Sequence, residues 1–185
     1  MTKPLKRDAT YADLVGVPEN FVAEILGGEL YASPRPASPH ARAAGKLFVK
    51  INGPFEDGEN GPGGWWFLPE PELHFGADVV VPDIAGWRHE RMPTVPSVAY
   101  FTLAPDWICE VLSPSTESID RRKKMPIHAR EGVRNAWLVD PLLQTLEVFR
   151  LESLRWSRIA AHEAAAKVRA EPFAAIELEL DTLWL

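Results

Sequence analysis

The chain has 185 residues, of which 46% are hydrophobic and 25% are charged, and this length and composition suit a soluble globular protein with a substantial core. Its formal net charge of −6 argues against a protein that coats nucleic acid with a generally basic surface. The single cysteine, Cys109, excludes an internal disulfide and a metal site with several cysteine ligands. We expect a cytoplasmic protein without membrane contact, because no apolar run could span a bilayer and the basic N-terminus lacks the apolar stretch of a secretory signal.

The first half of the chain predicts a short helix, the two strands of a β-hairpin and a long helix, at residues 11–17, 21–26, 29–33 and 38 to about 53. Gly27 and Gly28 supply the two-residue turn of the hairpin. Ser38 can cap the long helix, and Pro39 fits its first turn. Apolar residues then recur at helical spacing until the chain reaches Gly53, where the helix is expected to end.

The second half predicts strands at residues 65–68, 73–75, 79–87, 106–112 and 136–140, a helix at 118–131, and a C-terminal antiparallel meander at 146–151, 156–161 and 167–171. Gly132 is a natural C-cap for that helix, and the apolar residues 176–185 are expected to dock on the body. This order, without an internal repeat or a linker, predicts a single α/β domain over residues 1–185 with a mixed central sheet flanked by helices.

Two acidic residues lie inside apolar runs that are typical of short buried strands. Asp83 lies in the run 79–85 and Glu110 in the run 107–112. A buried carboxylate is costly unless a partner or a metal compensates its charge. If the two strands are neighbours, both acids can point to one spot near the sheet edge, where oxygen ligands suit Mg²⁺ or Mn²⁺. Each acid also has a structural alternative, as a turn or cap residue for Asp83 and as a salt-bridge partner of an arginine for Glu110.

A basic run at residues 121–124 follows soon after Glu110. With Arg130 and Arg134 nearby, the run is either a local patch that meets phosphates or a solvated helix face. Asp120 and Lys124 are spaced so that they share a helix face. Two acids that need a cation, followed by a candidate ammonium, indicate a metal-assisted site.

Four segments together resemble one family: Val-Pro-Asp at 81–83, Cys-Glu-Val-Leu-Ser-Pro-Ser-Thr at 109–116, Asp-x-x-x-Lys at 120–124, and Gly-Val-x-x-Ala-Trp-Leu-Val-Asp-Pro at 132–141. The chain resembles the Uma2 family of restriction-endonuclease-like proteins, formerly DUF820, which belongs to the PD-(D/E)XK nuclease superfamily. The resemblance extends from Phe21 to about Arg150. It implies a restriction-endonuclease-like sheet flanked by helices and Mg²⁺-dependent cleavage of phosphodiester bonds in DNA.

The resemblance also implies roles for individual residues. Asp83 is the acid of the Pro-Asp motif and Glu110 the acid of the E-x-K motif, so both are expected to be catalytic and to bind the metal. The usual lysine position, two residues after the glutamate, is occupied by Leu112, which cannot act. The family pattern instead places a lysine on the following helix, where Lys124 matches. Lys123 is the alternative, although it lies one step round the helix and is expected to face solvent.

Three further acids and one histidine are weaker candidates. Glu29 matches a glutamate of the family and is a further catalytic candidate that could ligate metal directly or through water; its alternative is a solvent-facing hairpin residue. His40 could contact a substrate phosphate or position Glu29, or could be structural. Glu72 could supply a third metal carboxylate, and Glu70 competes with it.

The segment around the candidate lysine raises further expectations. Arg122 and Lys123 are candidate substrate-binding residues. Pro126 is expected to kink the helix or to mark its first turn, which affects the aim of Lys124. His128 stands where relatives often have tyrosine, and it serves either as a hydrogen-bond donor near the site or as packing.

We therefore predict a metal-dependent endonuclease acting on DNA, with Mg²⁺ or Mn²⁺ as cofactor. A homodimer is expected, because cutting both strands with one site per subunit needs two copies. The alternative is a catalytically inactive protein that keeps the nuclease fold as a binding or assembly module, which the acidic balance and Leu112 favour. Sugar hydrolysis by paired carboxylates is a third option, but it leaves the lysine without a role.

Overall fold

A computed structural model describes residues 3–184, in which thirteen strands form three sheets. In chain order the strands are β1 (Lys6–Arg7), β2 (Phe21–Leu26), β3 (Glu29–Pro34), β4 (Trp65–Pro69), β5 (Leu73–Phe75), β6 (Asp78–Val80), β7 (Ile84–Arg88), β8 (Trp107–Val111), β9 (Asn135–Asp140), β10 (Thr145–Glu152), β11 (Arg155–Glu163), β12 (Lys167–Val168) and β13 (Leu178–Glu179). The helices are α1 (Tyr11–Val15), α2 (Ser38–Asn52), α3 (Glu117–Ile119) and α4 (Met125–Arg130), with π-helical segments at Gly53–Asp57 and Asp120–Lys124 and a 3₁₀ turn at Leu180–Leu183. Within the described range, no helix combines the length and apolar character needed to cross a membrane.

The largest sheet has six strands in the order β11-β10-β9-β8-β7-β4 and is mixed, as predicted. β8 and β9 are parallel, and the other neighbours are antiparallel. Side chains alternate along β8, so Trp107 and Cys109 join one hydrophobic cluster while Ile108 joins another. The first cluster includes residues of α2 and of the C-terminal segment, and the second includes residues of α3 and α4. The central sheet is therefore covered on both faces.

The predicted hairpin is confirmed, and it belongs to a second sheet of five strands in the order β1-β3-β2-β6-β5. The neighbours in this sheet are antiparallel. Leu26 pairs with Glu29 across Gly27 and Gly28, which both have positive φ angles that glycine adopts readily. The hairpin is thus anchored beside the central sheet through β6.

The strand predicted at residues 79–87 is two strands that lie in different sheets. β6 pairs with β2 in the five-stranded sheet, whereas β7 pairs with β8 in the six-stranded sheet. Pro82 lies between them and has no N–H to donate to a ladder, which suits a break in pairing. Asp83 therefore lies where the chain passes from one sheet to the other.

The helix predicted at residues 118–131 is confirmed as α3, the π-helical segment and α4 in succession. Pro126 is the second residue of α4, just after the π-helical segment, so its missing N–H falls in a first turn where proline is tolerated. Gly132 has a φ of 78° and follows the helix as expected for a C-terminal glycine. The C-terminal segment docks on the body, with Trp184 buried, while Leu185 lies outside the described residues.

Two local predictions in these elements are wrong, the cap of α2 and the last strand of the meander. Ser38 is the first helical residue rather than the cap, because Ala37 occupies the N-cap position. α2 ends at Asn52, next to the expected Gly53, and a π-helical segment follows it to Asp57. β10 and β11 pair as predicted, but the strand expected at 167–171 is shorter and pairs with β13, so it does not extend the meander.

Candidate active site

Asp83 is held in place by contacts to both of its carboxylate oxygens. Oδ2 accepts the backbone N–H of Val111 at 2.7 Å. Oδ1 lies 3.3 Å from Nε2 of His40, in the first turn of α2. Burial alone would lower the pKa of His40, but the hydrogen bond and the charge of Asp83 raise it overall. His40 therefore lies beside Asp83. One alternative in the sequence analysis, that His40 positions Glu29, does not agree with this contact.

Glu110, on β8, has one paired and one unpaired oxygen. The residue is 1% exposed, and its Oε2 accepts a hydrogen bond from Nζ of Lys124 at 2.7 Å. Its Oε1 is buried and has no hydrogen-bond partner among residues 3–184, although Nε2 of His128 lies 3.5 Å away. Burial, with a smaller contribution from the Lys124 ammonium, lowers the pKa of His128 to about 3, so this imidazole is neutral.

Lys124 extends from the π-helical segment into the same region. Its Nζ donates hydrogen bonds to Oε2 of Glu110 at 2.7 Å and to the carbonyl of Val81 at 2.8 Å. Oε1 of Glu24 and Oδ1 of Asp120 lie 3.3 and 3.7 Å from the same nitrogen. Asp120 and Lys124 share a helix face as expected, and the Lys124 side chain is 5% exposed.

Lys123, the alternative lysine, points elsewhere. Its Nζ donates to Oε2 of Glu29 at 2.7 Å, and the hydroxyl of Tyr31 donates to the same oxygen at 2.7 Å. These two hydrogen bonds lower the pKa of Glu29. The Lys123 side chain is 39% exposed. The structure therefore brings Lys124 to Glu110, whereas Lys123 and Glu29 form a separate pair near the surface.

The buried cluster holds more negative than positive charge. Burial alone would lower the pKa of Lys124, but the surrounding carboxylates raise it well above its usual value; they are Glu110, Glu24, Asp120 and Asp83, in falling order of effect. Burial raises the pKa of Glu110 to about 8, and Lys124 opposes that rise only in part. Burial also raises the pKa of Asp120 well above its usual value. A proton or a further cation is therefore needed to balance the cluster.

These groups line one cavity of about 380 Å³, a size in the range of small-ligand sites. Asp83, Glu110 and Lys124 all face it, together with Arg35. The loop at residues 113–116, which follows β8, also lines it. Asp83, Glu110 and Lys124 thus share one cavity, whereas Glu29, the fourth catalytic candidate, does not line it.

Glu72 is not brought to this cavity. Its Oε1 accepts a hydrogen bond from the hydroxyl of Tyr11 at 2.9 Å and lies 2.6 Å from Nε2 of His74. It lines a second cavity instead, because β5, the strand that follows it, is at the far edge of the five-stranded sheet. Glu70, its competitor, lines the active-site cavity but pairs with Arg35 at 2.8 Å.

Two further observations concern the surroundings of the acids. Arg122 lies on the exposed side of the π-helical segment. Within residues 3–184, no three side chains of histidine, cysteine, aspartate or glutamate surround a common metal position, since the ammonium of Lys124 lies among the carboxylates.

Glu24 is a residue of this cluster that the sequence analysis missed. It is 8% exposed, and its Oε1 accepts the backbone N–H of Val81 at 2.8 Å. The signal was present, because Glu24 is an acid inside the apolar run 21–26, just as Glu110 is inside its own run. It was overlooked because a hairpin by itself does not show that β2 pairs with β6 and so borders the cavity.

The sequence and the fold are both similar to those of known proteins. A family model described as "Uma2: Putative restriction endonuclease" matches residues 9–182. The fold is similar to the crystal structure of a "putative nuclease belonging to DUF820 from Anabaena variabilis ATCC 29413", with 25% sequence identity and a TM-score of 0.74 over 95% of this chain and 97% of that one. No curated protein matches the chain. Since the family match spans nearly the whole sequence, including Asp83, Glu110 and Lys124, the chain belongs to the Uma2 family.

Proposed function

We propose that this protein is an endonuclease that hydrolyses phosphodiester bonds in DNA with Mg²⁺ or Mn²⁺ as its cofactor. The observation that carries the proposal is the buried ion pair of Lys124 and Glu110, at 2.7 Å, in the same cavity as Asp83. Membership of a family described as restriction endonucleases and the likeness to a protein described as a nuclease support the reaction class.

A divalent cation fits the donor set of the cavity. Oε1 of Glu110 is buried without a hydrogen-bond partner among the described residues, and Asp83 lines the same cavity. Mg²⁺ keeps several waters and is commonly held by one or two carboxylates, so Asp83 and Glu110 suffice as protein ligands. Glu24 and Asp120 line the same cavity as further acids, whereas Glu72 does not. A bound ion supplies a water of lowered pKa and polarises a phosphoryl oxygen.

In this proposal Lys124 stabilises the negative charge that builds up on the phosphate. Its ammonium is already held by Glu110 and by the carbonyl of Val81, so it needs no reorganisation when substrate arrives. His40 fixes the Oδ1 side of Asp83, which keeps that carboxylate oriented toward the cavity. Both residues act in a buried setting, where a charge interacts more strongly than in bulk water.

Arg122 and Lys123 are the proposed contacts to the DNA backbone. Arg122 is exposed and Lys123 is partly exposed on the segment that carries Lys124 into the cavity. Such contacts position a nucleic acid by charge, and Lys123 can exchange Glu29 for a phosphate. We also propose a homodimer, because a second copy would let one site per subunit cut both strands.

The test is nicking of supercoiled plasmid DNA by the purified protein in Mg²⁺ or Mn²⁺. Asp83→Asn and Glu110→Gln should each remove activity without changing the circular dichroism spectrum, because the shape is kept and the metal-binding charge is lost. Glu152→Gln alters an exposed acid on β10 and should cut at the wild-type rate. A folded wild-type protein that binds Mn²⁺ but leaves all forms of DNA intact would contradict the proposal.

The alternative, an inactive binding or assembly module, makes a different prediction for metal binding. Titration calorimetry with Mn²⁺ should show binding to the wild-type protein and none to the Asp83→Asn, Glu110→Gln double variant if the proposed site is real. The absence of binding to the wild-type protein would favour the inactive module, in which protons together with Lys124 balance the buried carboxylates.

A further inference from the structure

A second cavity, of about 340 Å³, adjoins the active-site cavity. The two cavities share the lining residues Val22, Arg35, Glu70 and Val81, which therefore border both of them. The second cavity extends away from them toward α1 and the start of β2, where Leu14, Val17 and Phe21 line it. A substrate bound at the acids could therefore reach into it without leaving the protein surface.

The wall between the cavities carries an exchangeable cation. Arg35 lies directly after β3, and one of its terminal nitrogens contacts Oε2 of Glu70 at 2.8 Å. The side chains are 54% and 39% exposed, and an exposed ion pair of this kind contributes little to stability. A guanidinium matches the geometry of a phosphate group, so Arg35 can leave Glu70 for a phosphate at small cost.

The second cavity also presents a fixed aromatic ring. Tyr11 lines it, and the ring makes an edge contact with His74 at a centroid distance of 4.9 Å. His74 in turn stacks on Tyr100 at 3.8 Å, and the Tyr11 hydroxyl donates to Glu72 at 2.9 Å. The ring is 42% exposed, so it is held by neighbours yet open to a ligand. An oriented ring of this kind suits stacking of a nucleobase.

From these features we infer that the second cavity is a nucleotide subsite, in which Arg35 holds a backbone phosphate and Tyr11 stacks against an unpaired base. Glu70 and Glu72 then lie where they can accept hydrogen bonds from the amino groups of that base. A base inside a duplex is stacked and paired, so the subsite selects single-stranded or locally opened DNA. This inference rests on the proposed function only in taking DNA as the ligand.

The first experiment measures binding in EDTA, so it does not depend on cleavage. The probe is a fluorescein-labelled single-stranded oligodeoxynucleotide about ten nucleotides long, which lies within the usual site sizes for single strands. Arg35→Gln should weaken binding about tenfold and reduce the slope of log K against log salt by about 0.7, the value for one phosphate contact. The control is Arg150→Gln, which breaks a comparable exposed pair with Glu171. Neither residue of this pair lines a cavity, so the variant should bind the probe like the wild type.

The second experiment tests the Tyr11 ring independently of the Arg35 charge. Tyr11→Ala should weaken binding of the same probe about tenfold, within the range for loss of one stacked base, while Tyr11→Phe should retain it. Any of three results would overturn the inference. Arg35→Gln could bind as well as Arg150→Gln, or Tyr11→Ala as well as Tyr11→Phe. The duplex form of the probe could also bind more tightly than the single strand. If binding follows the expected pattern but no DNA is cut, only the proposed nuclease activity fails.

Discussion

The two faces of β8 differ in what they contribute to the protein. On one face Trp107 lies in an apolar cluster that joins the central sheet to α2 and the C-terminal segment. On the other face Glu110 lies between Ile108 and Leu112 and contacts Lys124 of the π-helical segment. A buried ion pair is weak evidence for stability, because desolvation can exceed the attraction between the charges. The apolar face, with Trp107, therefore supplies the stability that allows the charged face, with Glu110, to hold its cluster.

The largest effect on stability is expected from the apolar face. Trp107 is fully buried, and its ring packs edge-on against Trp137 and Phe173. Trp107→Ala should lower the free energy of unfolding by about 4 kcal/mol, as large aromatic truncations in a core do. The measurement is urea unfolding. Trp107→Phe keeps a ring in the cluster and should lose much less, so similar losses in the two variants would contradict the assignment.

On the charged face, Lys124→Met should lower the free energy of unfolding by about 3 kcal/mol, because it leaves buried carboxylates without their ammonium. The loss should be larger at about pH 8 than at about pH 5, since protonation of the carboxylates at lower pH relieves their repulsion. Urea unfolding at the two pH values tests this difference. An equal loss at both would mean that Lys124 stabilises by packing and not by charge.

The charged face should also make stability depend on pH in metal-free protein. The pKa of Glu110 is raised from 4.5 to about 8, chiefly by burial, so between these values the folded protein keeps a proton that the unfolded chain has released. The free energy of unfolding must therefore fall as pH rises through this window. His128 acts in the opposite sense, because its pKa is lowered from 6.5 to about 3 and stability is lost as pH falls between them.

Glu110→Gln separates the effect of Glu110 on the pH dependence of stability from that of His128. The variant cannot take part in the proton uptake, so its stability should fall by a few kcal/mol less between about pH 5 and about pH 8 than that of the wild type. Urea unfolding in EDTA across this range provides the measurement. A wild-type profile as flat as that of Glu110→Gln would mean that Glu110 is already ionised and fully balanced by Lys124.

The contrast between the faces also explains which site residues the sequence could reveal. Asp83 and Glu110 became candidates because each is an acid in an apolar run, and that signal depends only on neighbours along the chain. Lys124 was found through the family pattern, and the helical spacing from Asp120 agreed with it. For Glu110 the local pattern was sufficient, because the apolar neighbours that bury it are adjacent in the sequence.

The misplaced residues depend on contacts between distant parts of the chain. The apolar run 79–85 gives no sign that the chain changes sheets at Pro82. The sequence therefore did not show that β6 pairs with β2, which brings Glu24 to the cavity. Glu72 was expected near the metal, yet its partner Tyr11 is 61 residues away in sequence. Glu29 likewise pairs with Lys123, 94 residues away. Spacing along the chain contains no record of such partners.

The smallest effect on stability is expected from Lys123, the neighbour of Lys124 in sequence. Its pair with Glu29 is partly exposed, with side chains 39% and 23% accessible, so Lys123→Met should cost no more than about 1 kcal/mol. In plasmid cleavage it should raise KM and leave kcat unchanged, because a backbone contact aids binding of substrate and transition state alike. Glu29→Gln removes the same pair and should match its small stability loss. If Lys123→Met abolished kcat while Lys124→Met kept it, the roles of the two lysines would be reversed, and the charged face of β8 would be a structural cluster without part in the chemistry.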